Sequence, residues 1–534
     1  MFQDFLFNSP FGIFILKNNL PLLGPEILLA SVILICIGHL AFAKSKEELQ
    51  KTWLYATAGI VGVLLVIVSQ WWAFQIRTPL SFSVLGGMFR GDLFSLLIRT
   101  LLTVGTLLTL LFTKTFINKR AEVPGEFYVI MLTALLGGMM LSGATDLIMV
   151  FVSLETLSIS SYILAGYMRG NILSAEAGLK YLLYGSMATA SLLFGFSILY
   201  GLTGSTAYPD ILAFLSAHAL HIHPLILAIM VVMILGGVCF KLSAAPFHMW
   251  APDTYEGSPT PLVAFLSVVS KTAGFAFAIR LFSQYFGALP GWTGILSTLA
   301  VASMILGNVA GLTQRNIKRL LAYSTVAHGG YLLLGLVVMT PSSLGSLVYY
   351  LMTYLFMNLG AFAVVTHFEN MTGHTDIAAY AGLVRKKPRM VFLFSVMLLS
   401  LAGIPITAGF FGKFFLFQSI VNAGSQYIWL VVVALLTSTV SLYYYLNIIR
   451  LMVISEPSEA VESLSATEMR SSALSSVGLV MGVCLVGTLV LGVLAQNFMN
   501  LSQLAVEQMT KGTELTRFQP AAQVQPIISA VKPR

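Results

Sequence analysis

Charge is scarce in this chain. Only 9% of its 534 residues are Asp, Glu, Lys or Arg, where a soluble globular domain carries about a quarter. With 57% hydrophobic residues there is too little polar material to cover a water-facing surface, so a soluble globule is excluded and a polytopic membrane protein is left. Cysteine is almost missing too. Cys36, Cys239 and Cys484 each fall inside an apolar run, and an odd number at wide spacing makes neither a disulfide framework nor a zinc or iron–sulfur motif. There is no phosphate-cradling loop, dinucleotide fingerprint, haem motif or nucleophile elbow among the 45 glycines, so no apparatus for covalent chemistry or for a bound cofactor is visible. The first 20 residues lack a basic n-region and a small-residue cleavage site, and insertion through the first membrane helix is expected.

What the chain has is long apolar runs. At about 20 residues per span they predict an all-α fold of about 14 transmembrane helices. The net charge of +8 comes in short clusters between these runs, a pattern of positive-inside topology rather than of nucleic-acid binding. Lys44, Lys46 and Lys51, then Lys114, Lys119 and Arg120, then Arg169, then Arg315, Lys318 and Arg319, then Arg385, Lys386, Lys387 and Arg389 follow odd-numbered spans, while Arg77, Arg90 and Arg280 are nearly all that follows even ones. The odd loops are therefore assigned to the cytoplasm and both termini to the opposite side. The HALHIH stretch with His218, His221 and His223 has no carboxylate or cysteine to complete a metal site and is taken as a loop at the membrane surface.

An internal echo organises the rest. FKLSAAPFHMW around Pro246 and LSLAGIPITAGFFGKF around Pro405 are both apolar helices interrupted by small residues and proline, in the seventh span (near 225–249) and the twelfth (near 389–421). Five spans is an odd period, so two such units lie upside down relative to each other, the inverted-repeat plan of many transporters. The expected organisation is three N-terminal helices over 1–120, a first repeat over 121–288, a second over 289–455, and a cytoplasmic linker, last helix and mobile tail over 456–534.

Several titratable groups lie inside these spans. Lysines there are candidates for ion handling, because desolvation disfavours the ammonium form and a nearby carboxylate favours it. Glu155 is a lone mid-span carboxylate whose natural partner is Lys241; the two form either a protonation switch or a static buried pair. Lys180, one turn after Glu176, either takes part or reaches out to the interface. Lys271 has no acidic residue close in sequence. His248, seven residues and two helical turns after Lys241, and His328 are either proton relays or hydrogen-bonded core histidines.

SLETLSISSYILAGY around Glu155, EAGLKYLLYGS around Lys180, FKLSAAPFHMWAPDTYEGSPTPLVAFLSVVSK over 240–271, GNVAGLTQRNIKRLLAYSTVAHGGY over 307–331 and GIPITAGFFGKF around Lys413 resemble the antiporter-like membrane subunits of respiratory complex I. The likeness is greatest to the N-type; the M-type carries a glutamate where Lys413 stands, and the L-type adds a long lateral helix. The resemblance implies a proton-translocating subunit, one of several pumping modules in a quinone-reducing enzyme. It would hold no redox centre, cofactor or metal itself, with quinone, flavin and iron–sulfur clusters in partner subunits and NADH or ferredoxin as donor. It implies that Glu155 and Lys241 are the switch pair, Lys271 the central lysine, Lys413 the lysine facing the outer exit, and His248 and His328 relays. The partners would be the other membrane subunits of complex I and the lipid bilayer, in a bacterial inner or photosynthetic membrane. An Mrp-type cation/proton antiporter subunit and a structural membrane scaffold are the competing expectations.

The loop charges make a direct prediction. Tags at Met1 and at Arg534 are both expected to report from the non-cytoplasmic side in a protease-accessibility assay; cleavage from the cytoplasm at either end would refute the even number of crossings.

Overall fold

The computed structural model describes residues 20–76, 82–218, 221–285, 292–464 and 476–516. Helices α1 (Gly24–Phe42) and α2 (Lys46–Ile76) pair first. A short antiparallel hairpin of β1 (Phe82–Val84) and β2 (Phe89–Gly91) follows. It leads into α3 (Leu93–Arg120), where the Asp92 side chain accepts from the Ser95 amide and the Ser95 hydroxyl accepts from the Asp92 amide, a reciprocal cap that fixes the helix start. Then come α4 (Pro124–Gly143), α5 (Leu147–Ala165), α6 (Ile172–Thr203), the short α7 (Tyr208–His218), α8 (Pro224–Leu242), the half-helix α9 (Trp250–Gly257) and α10 (Thr260–Ser283). The second half has α11 (Trp292–Gly311), α12 (Ile317–Val338), α13 (Pro341–Thr372), α14 (Pro388–Ala402), α15 (Ala408–Asn422), α16 (Ile428–Ile454), the one-turn α17 (Glu459–Glu462), α18 (Ser476–Val493) and α19 (Ala495–Thr516).

The fold is all-α and polytopic. Among the described residues 13 helices are long and apolar enough to cross a membrane. The predicted twelfth span is a broken one, divided into α14 and α15 around Gly403 and Pro405, with neither half long enough alone. The predicted seventh span ends earlier than expected. Helix α8 stops at Leu242, where Ser243 takes a left-handed conformation (φ 56) and returns its N–H to Phe240, and the chain resumes as α9 after an irregular stretch that contains Pro246. The close connection between the fourth and fifth spans holds, because Asp146 caps α5 immediately after α4 ends.

Burial is uneven, and that unevenness locates the site. The apolar cores of α10, α12 and α13 are 100%, 89% and 94% buried, against 33% for α1, α2, α6 and α16. Three helices enclosed by protein rather than by lipid can carry polar side chains at membrane depth, because their neighbours supply partners.

Some expectations require correction. Arg280 is not a loop residue; it lies inside α10, 1% exposed, with its guanidinium on Asp92 (2.6 Å) and on the Ser142 carbonyl (2.7 Å). Lys318 is likewise buried. Residues 503–516 of the tail are helical and pack Ala505, Val506 and Met509 inward; residues 517–534, the first 19 residues and Arg77 lie outside the described residues. The hairpin, α7 and α19 were not anticipated, since none is a long apolar run.

The break before α15 makes a stability prediction. Gly409 donates its N–H to the Ser400 hydroxyl (3.1 Å), and a Cβ there would collide with the Ser400 carbonyl. Gly409→Ala is expected to cost about 1–3 kcal/mol, read as a lower melting temperature in detergent, while Gly482→Ala, which faces open space, leaves it unchanged.

Candidate functional site

Helices α5, α6 and α8 bring the first group together. Glu155 is half-buried on α5 and accepts from the Thr189 hydroxyl of α6 (2.7 Å). Lys241, 5% exposed at the last turn of α8, donates to the Ser158 hydroxyl (3.1 Å), one turn further along α5. Among the described residues Glu155 and Lys241 form no ion pair with each other, contrary to the contact expected from sequence. Each is held by a hydroxyl, and their charges act on one another across a gap. Nor do Lys241 and His248 share a helical face. The helix ends between them, and His248 sits buried in the break with its Nδ1 unpartnered.

The enclosed helices bring together the second group. Lys271 follows a π-helical turn (Leu266–Ser270) in α10 and donates to the Thr325 carbonyl of α12 (2.6 Å). The Thr325 hydroxyl meets Tyr354 of α13 (3.0 Å), which also receives the Asn358 amide (3.1 Å). One turn after Thr325, His328 bonds through Nδ1 to the Tyr350 hydroxyl (2.7 Å). Beyond it, Lys413 of α15 donates to the carbonyls of Leu401 (3.1 Å) and Ala402 (2.9 Å) and to Ser438 of α16 (2.7 Å), with its ammonium 5.2 Å from the Tyr331 ring centre. Lys271, His328 and Lys413 are 2%, 2% and 6% exposed, and among the described residues neither lysine has a carboxylate partner. A line of hydroxyls, amides and backbone carbonyls between amines is a medium for moving protons once water completes it.

A third group lies at the loop ends of these helices. Asp253 of α9 takes Lys180 of α6 on one oxygen and Arg319 of α12 on the other (2.7 Å each); Lys180 also holds Glu176 (2.6 Å) and Arg319 holds Glu256 (2.8 Å). Lys180 is therefore paired rather than reaching out alone. The Trp250 ring stacks on Tyr181 at 4.3 Å, so α9 is pinned by a charge network at one end and an aromatic pair at the other. Sequence reasoning missed Tyr350, Tyr354 and Lys318. The tyrosines read as ordinary membrane aromatics, and Lys318 read as a loop charge because Arg315 and Arg319 flank it. The three-histidine stretch brings together no metal site: among the described residues no three His, Cys, Asp or Glu side chains gather to hold an ion, and His223 instead caps α8.

Residues 144–441, which span all three groups, match the family described as NADH:quinone oxidoreductase/Mrp antiporter, TM. The chain is similar to the NAD(P)H-quinone oxidoreductase subunit 2 of Synechococcus sp. (strain JA-3-3Ab), 44% identical over 91% of this chain and 90% of that one. It is 42% identical to the protein of the same name from Synechococcus elongatus over 95% of each. A chain of respiratory complex I from Thermus thermophilus superposes with a TM-score of 0.73 at 31% identity, covering 90% of this chain and 99% of its own. A chain of the Mrp complex from Dietzia sp. superposes with a TM-score of 0.79 at 21% identity, covering 93% and 99%, a likeness of fold alone.

The edge network predicts a pH dependence. Burial acts to raise the Asp253 carboxyl, and the hydrogen bonds from Lys180 and Arg319 outweigh it and hold it below the usual carboxylate range. A depressed carboxylate contributes stability that is present above its unfolded value of about 3.9 and is lost as pH falls through the lower folded one. Protection of the α9 amides against hydrogen exchange should therefore persist unchanged from pH 7 to pH 5. In Asp253→Asn it should be weaker throughout that range, and equal protection in the variant would show that the network does not hold α9.

Proposed function

The chain belongs to the NADH:quinone oxidoreductase/Mrp antiporter membrane family, and from that premise we propose that it is a proton-translocating subunit of a quinone-reducing, complex I type enzyme. One observation carries this reading: Lys241, Lys271 and Lys413 are buried at membrane depth without carboxylate contacts, and the last two lie along one polar line with His328 between them. Lysines without fixed counter-charges are expensive unless they are used.

In this reading the residues take distinct parts. Glu155 and Lys241 sense and relay the perturbation that starts a cycle, acting through Thr189, Ser158 and the field between them rather than through contact. Lys271 is the central store and receives or releases a proton at Nζ. His328 with Tyr350 passes it on, and Lys413 delivers it towards the non-cytoplasmic side. His248, in the break next to Lys241, and Lys180, at the edge, couple the half-helix α9 to that movement. The two units over 121–288 and 289–455, each with one broken span, form inverted repeats with the charge line between them. Quinone, flavin and iron–sulfur clusters belong to partner subunits, which supply the free energy; the partners are the other membrane subunits, in a bacterial inner or a photosynthetic membrane.

The fold likeness to the Dietzia Mrp chain favours a second reading, a cation/proton antiporter subunit. Sodium- or potassium-driven proton exchange by the protein in liposomes, free of redox partners, would support it and sink the first.

Lys271→Ala is the decisive variant. The complex should assemble in normal amount, and quinone-linked proton translocation in inverted membrane vesicles should fall severalfold. Wild-type translocation would leave the chain a structural scaffold.

A further inference from the structure

We propose that Lys318, at the cytoplasmic end of α12, is the station through which protons enter from the cytoplasm on their way to Lys271. The proposal rests on the reading of the chain as a proton-translocating subunit and adds a residue and a route to it.

Lys318 is 5% exposed and, among the described residues, bonds only to the backbone carbonyl of Ser258 (3.0 Å). It has no role as a helix cap. Helix N-termini favour anions, and the side chain of Asn316 already accepts the amides of Lys318 and Arg319 (2.9 and 3.3 Å). Nor is it locked in an ion pair: Glu369, Glu256 and Arg120 act on it electrostatically, but Glu256 is engaged by Arg319 and Glu369 by the Thr260 hydroxyl. A lysine buried just behind the half-exposed ring of Lys180, Asp253, Arg319 and Glu256, with no structural partner except one carbonyl, is placed to exchange protons with that ring.

Thr254 and Ser258 lie one turn apart at the end of α9, and both hydroxyls are buried without a partner. Unpaired buried hydroxyls are uncommon, and a pair of them beside an amine is the kind of lining that holds water. On α12 itself, Thr325 follows Lys318 by seven residues, two turns on one face and about 10 Å along the helix. Its carbonyl takes the Lys271 ammonium. In the proposed route these hydroxyls and the water they hold form a short column between Lys318 and Lys271.

The step is a proton exchange that leaves the column unchanged. The Lys318 ammonium gives a proton from Nζ to the hydroxyl-and-water column. The neutral Lys271 amine takes one at its own Nζ from the far end. The Lys318 amine is then reprotonated by cytoplasmic water that reaches it past the charged ring.

The test uses the whole complex in inverted vesicles and scores complex content, quinone-linked proton translocation and Lys271→Ala as reference. Lys318→Arg keeps a cation and a donor for the Ser258 carbonyl, yet an arginine does not release its proton. The expected result is normal content for Lys318→Arg and Lys318→Met with translocation reduced severalfold, to the Lys271→Ala level. Wild-type translocation in Lys318→Arg would overturn the proposal, because the lysine would then serve only to hold the carbonyl. If the Lys318 variants do not assemble, the double change Thr254→Val with Ser258→Ala decides. It removes the hydroxyls and leaves Lys318 in place; a severalfold loss supports the route and unchanged translocation ends it. Should Lys271→Ala itself translocate normally, the functional reading fails first and this inlet with it.

Discussion

An ammonium group at membrane depth needs oxygen atoms around it, and the polypeptide has few to give unless a helix is interrupted. Lys413 shows how the two requirements meet. Helix α14 ends in mid-span, which frees its last carbonyls, and the ammonium uses its three donors on Leu401, Ala402 and the Ser438 hydroxyl. A helix C-terminus also concentrates partial negative charge, so a cation there is favoured on electrostatic grounds. The break and the lysine therefore stabilise each other: without the lysine the Leu401 carbonyl would lose its donor, and without the break the lysine would keep only the Ser438 hydroxyl as acceptor. Lys241 repeats the idea less completely, sitting in the final turn of α8 just before Ser243 turns the chain away.

Lys271 is the exception. It lies in a continuous helix, and its acceptor is a carbonyl of a neighbouring one. The π-helical turn that precedes it in α10 changes the register of that helix by a residue and aims the side chain at α12. The enclosed position of α10, α12 and α13 is what makes this affordable. Tyr350 and Tyr354 supply hydroxyls from α13, His328 and Thr325 supply the facing polar atoms, and all four are buried.

Much of this was legible in the chain itself. Apolar runs give the spans because a bilayer has a fixed thickness, and a lysine or carboxylate inside such a run stands out at once; Glu155, Lys241, Lys271, His328 and Lys413 were all visible that way. Partners were not, because a one-dimensional pattern does not say which face of a helix meets which. Glu155 and Lys241 seemed made for each other by charge, yet each found a hydroxyl instead. The Lys241–His248 spacing fits a helix, but the helix ends at Leu242, four residues ahead of the proline that seemed to break it. Arg280 and Lys318 were taken for topology signals since they lie near the ends of runs, where positive charges usually face water. Their burial depends on Asp92 and on the Ser258 carbonyl, both far away in sequence.

The kind of partner changes along the chain of charges, and that change sets how freely each charge can vary. At the edge Lys180, Asp253, Arg319 and Glu256 are joined by direct ion pairs, in which a carboxylate strongly prefers the protonated partner and resists any change of state. Deeper in, the partners are hydroxyls and carbonyls. A neutral amine still donates an N–H to a carbonyl, so loss of the proton weakens the contact without breaking it, and the surroundings need little rearrangement. Fixed pairs at the rim therefore hold the architecture, and neutral acceptors in the interior leave the charge free to vary. A uniform set of ion pairs would have been more rigid and unable to cycle; a uniform set of neutral acceptors would have left α9, which hangs on one side from an irregular segment, without an anchor. The division of labour follows from the two dielectric environments that the same chain crosses.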